Sequence, residues 1–286
     1  MEEKISQFKI VSDSSSDVAR LDGEVAYAYA PLKIITTEKE YVDDDYLDVK
    51  GMVDDLDSYK GRSSTSCPNS EEWIEAFGDK KYIFCVTITG TLSGSYNAAC
   101  VAKAAYEEKY PDRKVYVINS LSTGPEMALI IDKLRDLILE GKEYEEIVEE
   151  IQSYTKKTGL LFMLESMKNL ANNGRVNPLV AKAAGLLGIR VIGKASDRGD
   201  LQQLNKCRGE KKALETIVER LKVLAEKVSK VKIAHCFNEE AAQKLKELIV
   251  TNFDKVKVEV SKCKALCSFY AEKGGLLIGF EKQGAV

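Results

Sequence analysis

A single histidine, His235, occurs in 286 residues. Imidazole serves acid–base chemistry and metal binding more often than other side chains, so its scarcity narrows the catalytic options. A Ser–His pair would need His235, at the end of the apolar stretch VKIAH, to reach a serine-bearing loop elsewhere in the chain. Other signatures are missing too. There is no GxxxxGK[ST] and no GxGxxG, which removes two phosphate-cradling loops. Ser93 has Thr91 and Ser95 where a nucleophile elbow has glycines. No CxxC occurs among the seven cysteines (Cys67, Cys85, Cys100, Cys207, Cys236, Cys263, Cys267); Cys263 and Cys267 form only a CxxxC. An odd number of thiols, most of them inside apolar stretches, indicates reduced, buried cysteines in a cytoplasmic protein with no metal site. No uninterrupted apolar run approaches the ~18 residues of a membrane span, and MEEKISQFKIVSD carries no apolar core of signal-peptide length. Membrane insertion is therefore not expected. Formal charge is −3, from 42 Lys and Arg against 45 Asp and Glu. The two signs are interspersed, which leaves no basic face for nucleic acid.

What is present is an ordinary globular composition, 44% apolar and 30% charged, in a chain long enough for two domains. Short apolar strands alternate with helical patterns: FKIVSD, then YIFCVTI before YNAACVAKAAYEEKY, then KVYVINS before PEMALIIDKLRDLILEG. Pro125 suits a first helical turn and Gly141 a helix end. A βα repetition with strands apolar along their length predicts a mostly parallel sheet with helices on both faces. Near residue 158 the texture changes. IRVIGKAS, DRGD and LQQLNKC read as a hairpin, followed by the helix EKKALETIVERLKVLAEKV and the strands VKIAHC, KVKVEV and GLLIGF. The expected fold is α/β in two domains. Residues 1–158 form a parallel-sheet domain, and residues 159–286 an α+β domain with a mixed or antiparallel sheet.

Three strand-to-helix junctions share one design: Asp13-Ser14-Ser15-Ser16, Thr91-Leu92-Ser93-Gly94-Ser95 and Ser120-Leu121-Ser122-Thr123-Gly124. In a parallel sheet all three lie at the carboxyl edge, where ligands of open α/β sheets bind. Helix N-termini there offer unpaired N–H groups and partial positive charge, a natural seat for an anion. The same residues are also preferred N-caps, so capping alone is the competing explanation. RSSTSCPNSEEW adds Ser63, Ser64, Thr65 and Ser66 ahead of a short helix, with Ser70 read as its cap. Arg175, in the turn NNGRVNP, either clamps an anion or lies at the surface. Asp43-Asp44-Asp45 reads as a solvated loop, with a divalent cation as the alternative. The chain offers a place to hold an anion and little machinery to transform one.

Several of these segments together resemble the DegV family of bacterial proteins. KIVSDSSSDV at 9–18 is similar to that family's N-terminal DSS loop, TSCP at 65–68 to its TS-x-P loop, and LSGSYNAA to its SGTY-x-x-A segment, with Ser95 in place of Thr. NGRV at 173–176, Arg208-Gly209 with Lys211-Lys212, and AHCFNEEA also fit, in the family's order, from about residue 8 to 280. The resemblance implies a protein that binds a long-chain fatty acid in a tunnel between two α/β domains. Thr65 and Ser93 would hold the carboxylate, and Ser14, Gly94, Ser122 and Arg175 are further candidates for the same anion. No catalytic residue and no cofactor is implied. Some members act as the acyl carrier of a fatty acid kinase, whose separate kinase subunit phosphorylates the bound acid; Arg208, Lys211 and Lys212 would then present a docking face. One departure stands out: carrier members have a histidine before a Gly-Pro-Gly turn close to the carboxylate, where this chain has FYAEKGGLLIGF. That loss weighs on phosphoryl transfer more than on binding. NPLVAKAAGLLGI, apolar on nearly every face, would wall the tunnel or simply fill a core. The rival reading is a hydrolase or phosphate-handling enzyme that uses the same Ser/Thr loops with His235 as base.

Overall fold

The computed structural model describes residues 2–179, 181 and 188–283. In the first sheet, β1 (Phe8–Asp13), β2 (Ala26–Ala30), β6 (Tyr82–Thr87) and β7 (Lys114–Asn119) run parallel in the order β2-β1-β6-β7. Alternate side chains of β6 serve opposite faces, as a strand's period of two requires. Ile83 and Cys85 meet Trp73, Phe77 and Tyr106. Phe84 and Val86 meet Met127, Ile130 and Leu134. Both faces are thus apolar and both are covered, which is what parallel pairing needs. A small antiparallel sheet of β3 (Lys33–Ile35), β4 (Glu40–Val42) and β5 (Ser64–Ser66) packs its Ile34 against Met52 and Val53.

The second sheet is mixed, with β8 (Thr158–Leu164), β9 (Ile189–Ala195), β10 (Leu201–Arg208), β11 (Val228–His235), β12 (Lys257–Lys262) and β13 (Leu276–Lys282) in the order β10-β9-β8-β13-β11-β12. The expected hairpin is β9–β10, antiparallel with a bulge between Gln203 and Asn205. Leu161 and Met163 of β8 pack under the helices Glu210–Leu224 and Glu239–Asn252. Leu160, Phe162 and Leu164 point to the opposite face, toward the first sheet.

The helix Pro125–Leu139 lies between the two sheets. Met127, Ile130, Ile131 and Leu134 enter the first core, while the backbone of its first turn rests on β13. A Cβ on Gly279 would come within 2.6 Å of Pro125 C and Glu126 N, so only glycine permits this approach. Thr158 donates to the Glu126 carboxylate at 2.7 Å, and Lys232 of β11 pairs with Asp132 at 2.9 Å.

A second tie runs the other way. The helix Ala265–Ala271 comes late in the chain yet packs on the N-terminal half: Leu266 joins the first core, and Phe269 meets Ile34, Met52 and Val53. Its opening amides donate to carboxylates, Lys264 N to Asp17 at 2.8 Å and Ala265 N and Leu266 N to Asp43 at 3.0 and 3.1 Å. Asp43 is fully buried. It is therefore neither in a solvated loop nor in a cation site, and no metal-binding cluster occurs among the described residues.

Two further local expectations are corrected. Ser14–Ser16 form a single 3₁₀ turn capped by Asp13, with no α-helix before β2, because Asp17 turns left-handed at φ 60° and breaks the helical path. The helix Ser70–Phe77 is capped by Asn69 reciprocally with Glu72, one residue earlier than the Ser70 reading. The stretch NPLVAKAAGLLG, expected as a tunnel wall, lies outside the described residues at 180 and 182–187.

Glu126 gives a pH signature. Burial pushes its carboxyl up to about 7, against the pull of the Thr158 hydroxyl. Between its ordinary 4.5 and about 7 the folded chain keeps a proton that the unfolded chain releases. This contribution is full below 4.5 and lost as pH rises through about 7. The span amounts to about 3 kcal/mol. Urea midpoints of wild type should fall over this window, and those of Glu126→Gln should fall less; parallel slopes would refute the assignment.

Candidate functional site

Asp13 closes β1 with its side chain fully buried, and the loops at the sheet edge are built around it. One carboxylate oxygen accepts from Ile88 N at 2.9 Å and from Ser95 Oγ at 2.6 Å. The other accepts from Ser15 N at 3.2 Å and from the Ser15 hydroxyl. Burial raises the Asp13 pKa, and these four donors pull against it. Ile88 ends the exit from β6 and Ser95 starts the helix Ser95–Lys109, so Asp13 pins both ends of the loop between them. Within it, Leu92 N and Ser93 N donate to Thr89 O at 3.3 and 3.2 Å, and Ser95 N donates to Ser93 Oγ at 3.3 Å. Gly94 sits at the cap position with no capping side chain. A Cβ there would meet Cys67 Sγ at 3.2 Å, which shows how tightly the loop after β5 approaches.

This loop edge faces the second sheet across a cavity of ≈ 290 Å³, close to the lower end of the range for small-molecule sites, about 300 Å³. Its walls are mainly apolar: Leu160, Phe162 and Leu164 of β8, Leu277 of β13, and Ile88 and Leu266 from the first core. Thr65, Ser93, Gly94 and Arg175 also line it. Thr65 is the register partner of Ile34 on β3 and shares a 2.7 Å hydrogen bond with the Tyr270 hydroxyl. Arg175 Nε donates to Leu92 O at 3.1 Å, and an Nη donates to Asn173 O, so the guanidinium leans on the Ser93 loop. Burial raises the Tyr270 pKa; the Thr65 hydrogen bond and the Arg175 charge oppose it. Burial likewise raises the Cys67 thiol. Hydroxyls, one amide-rich loop and a cation therefore line one otherwise greasy cavity.

Ser14 and Ser122 are not brought to the cavity. Both are buried behind it, Ser14 Oγ accepting from Leu32 N at 3.0 Å and Ser122 O accepting from Thr89 N at 2.8 Å. His235 does not line it either: Asn238 N donates to its Nδ1 at 3.3 Å, and burial lowers its pKa. A serine–histidine couple is not assembled here. Two residues escaped the reading of the sequence. Asp13 was legible only as one member of a hydroxyl loop, and Tyr270 carried no signal beyond standing where a histidine was sought.

Two stacked sheets, one parallel and one mixed, with an apolar cavity against the parallel sheet's loop edge, define a class of two-lobed α/β proteins. The chain belongs to the DegV family, whose model, described as "Uncharacterised protein, DegV family", matches residues 7–283. It is similar to a DegV domain-containing protein of Streptococcus pneumoniae, 41% identical over 277 residues, which cover 96% of this chain and 99% of that one. Among solved structures it is similar to a DegV family protein from Eubacterium eligens loaded with heptadecanoic acid (44% identity, TM-score 0.94, 96% and 100% of the two chains). It is also similar to the Streptococcus pneumoniae Fatty Acid Kinase (Fak) B3 protein loaded with linoleic acid (40% identity, TM-score 0.95, 96% and 99%).

Removing the Asp13 anchor should be costly. Asp13→Ala leaves Ile88 N and the Ser95 hydroxyl unpaired in a buried site, a loss on the order of 3 kcal/mol. Urea denaturation measures it, and a midpoint equal to wild type would show that the loops hold their shape without the carboxylate.

Proposed function

We propose that the cavity holds a long-chain fatty acid, with its carboxylate at Thr65 and Ser93, Arg175 alongside, and its tail among Leu160, Phe162, Leu164 and Leu277. The carrying observation is the convergence of Thr65, Ser93 and Arg175 on a mainly apolar cavity. A buried carboxylate is tolerated when several donors satisfy it, and two hydroxyls with a neighbouring guanidinium supply them. Each buried methylene contributes roughly 0.8 kcal/mol, so a long tail brings about ten kcal/mol before association costs. The acids bound in the Eubacterium eligens and Streptococcus pneumoniae proteins support the same reading.

In this reading the chain is a carrier, not a catalyst. A separate kinase subunit would phosphorylate the acid it presents, a partnership supported by the likeness to the Fak B3 protein. Residues 1–158 and 159–286 are its two lobes, supported by the start of the second sheet at Thr158. A cytoplasmic place is supported by seven free cysteines. No helix among the described residues is long and apolar enough to cross a membrane.

Mass spectrometry of an organic extract of the purified protein should find a stoichiometric fatty acid; a protein that comes empty and ignores added palmitate would overturn the reading. Thr65→Ala with Ser93→Ala removes two donors to a charged group and should weaken binding about 100-fold or more. Unchanged affinity would place the head group elsewhere. With ATP and a fatty acid kinase subunit, acyl phosphate should form from acid loaded on this protein; none would form if it is a free-standing binder.

A further inference from the structure

The second sheet carries one arrangement twice, on opposite faces. Gly193 of β9 is the register partner of Phe162 on β8. The ring lies across it: a Cβ on Gly193 would sit 2.6 Å from ring Cε2 and closer still to Cζ. Gly159 of β8 is likewise the partner of Phe280 on β13, and a Cβ there would sit 2.9 Å from ring Cε1. Glycine inside a strand marks a close approach to the backbone, here by an aromatic ring in both cases. What lies above the two rings differs. Phe280 belongs to the core under the helices Glu210–Leu224 and Glu239–Asn252. Phe162 faces the other way, into the cavity wall, and is 2% exposed.

Residues 160, 162 and 164 share one face of β8. A phenylalanine standing upright between Leu160 and Leu164 would project into the space the cavity occupies. Because Gly193 has no side chain, the ring lies down across the neighbouring strand and that space stays hollow. A side chain at 193 would lift the ring into it. We propose that the Phe162–Gly193 pair sets the acyl length this protein accepts, forming a section of cavity wall whose height depends on ring tilt. The proposal rests on the fatty-acid reading above.

Affinities for a series of saturated acids from laurate to arachidate, measured by calorimetry on delipidated full-length protein, test it. Phe162→Leu and Phe162→Ala should move the optimum to longer acids, by about fourfold in Kd for each methylene newly enclosed. Gly193→Ala should move it to shorter acids. Its Cβ would also lie 2.6 Å from the Gln202 carbonyl oxygen, so the Phe162 variants carry the test if it fails to fold. Phe280→Leu, the same arrangement on the far face, should lower the urea midpoint and leave the ranking of acids intact. A folded Phe162→Leu protein that ranks the acids as wild type does overturns this proposal alone. A ranking that shifts equally in Phe280→Leu overturns it as well, since general softening would then explain both. Wild type that binds none of the acids overturns the fatty-acid reading and this proposal together.

Discussion

The carboxylate of Asp13 is the constraint on which the site depends. It is buried, where a charge is costly unless donors surround it, and its donors come from its own loop, at Ser15, and from both ends of the loop after β6, at Ile88 and Ser95. Satisfying that one group fixes where β1 stops, how β6 exits and where the helix Ser95–Lys109 begins. Ser93 and Gly94 are held on the loop between two of those anchor points, which is why short, flexible residues can occupy defined positions there. The Ser95 hydroxyl, which by sequence looked like another donor for a bound anion, is committed to Asp13 instead.

A hollow in a protein has to be explained, since interiors otherwise pack as densely as organic crystals. Here the two sheets are held apart at one end by the helix Pro125–Leu139, whose first turn rests on β13 at Gly279. Beyond that spacer the loop edge of the first sheet faces β8 across the cavity, which Leu266, Cys267 and Tyr270 of the helix Ala265–Ala271 also line. Hydrophobic walls alone would tend to collapse into such a gap. The hydrogen-bonded loops and the flattened Phe162 ring hold them back.

The sequence was most informative where periodicity and punctuation coincide. Strands apolar along most of their length predict a doubly covered parallel sheet, and IRVIGKAS-DRGD-LQQLNKC predicts a hairpin; both are present. Thr65, Ser93, Gly94 and Arg175, legible in the sequence as candidate anion contacts, line the cavity. The misses have a common cause. Asp43 looked solvated because its acidic neighbours are polar, but its partner is a helix more than two hundred residues away in the chain, and no local pattern reports that contact. Ser14 and Ser122 were put forward because hydroxyls in such loops are chemically alike. Which hydroxyls face the cavity and which turn away from it, as Ser14 does toward Leu32 N, is decided by side-chain direction. The Phe162–Gly193 pair was invisible for the same reason: register between strands thirty residues apart is not written in either strand.

The helix Ala265–Ala271 has a consequence for how the molecule is made. Ile34, Met52 and Val53 are covered by Phe269, so a ribosome must add more than two hundred residues after that patch is made before it is shielded from water. Contacts of such sequence separation are slow to form, and surface left bare in the meantime invites association with other chains. The nascent parallel-sheet unit is therefore an unfinished object rather than a small protein, and its maturation waits on the helix Ala265–Ala271.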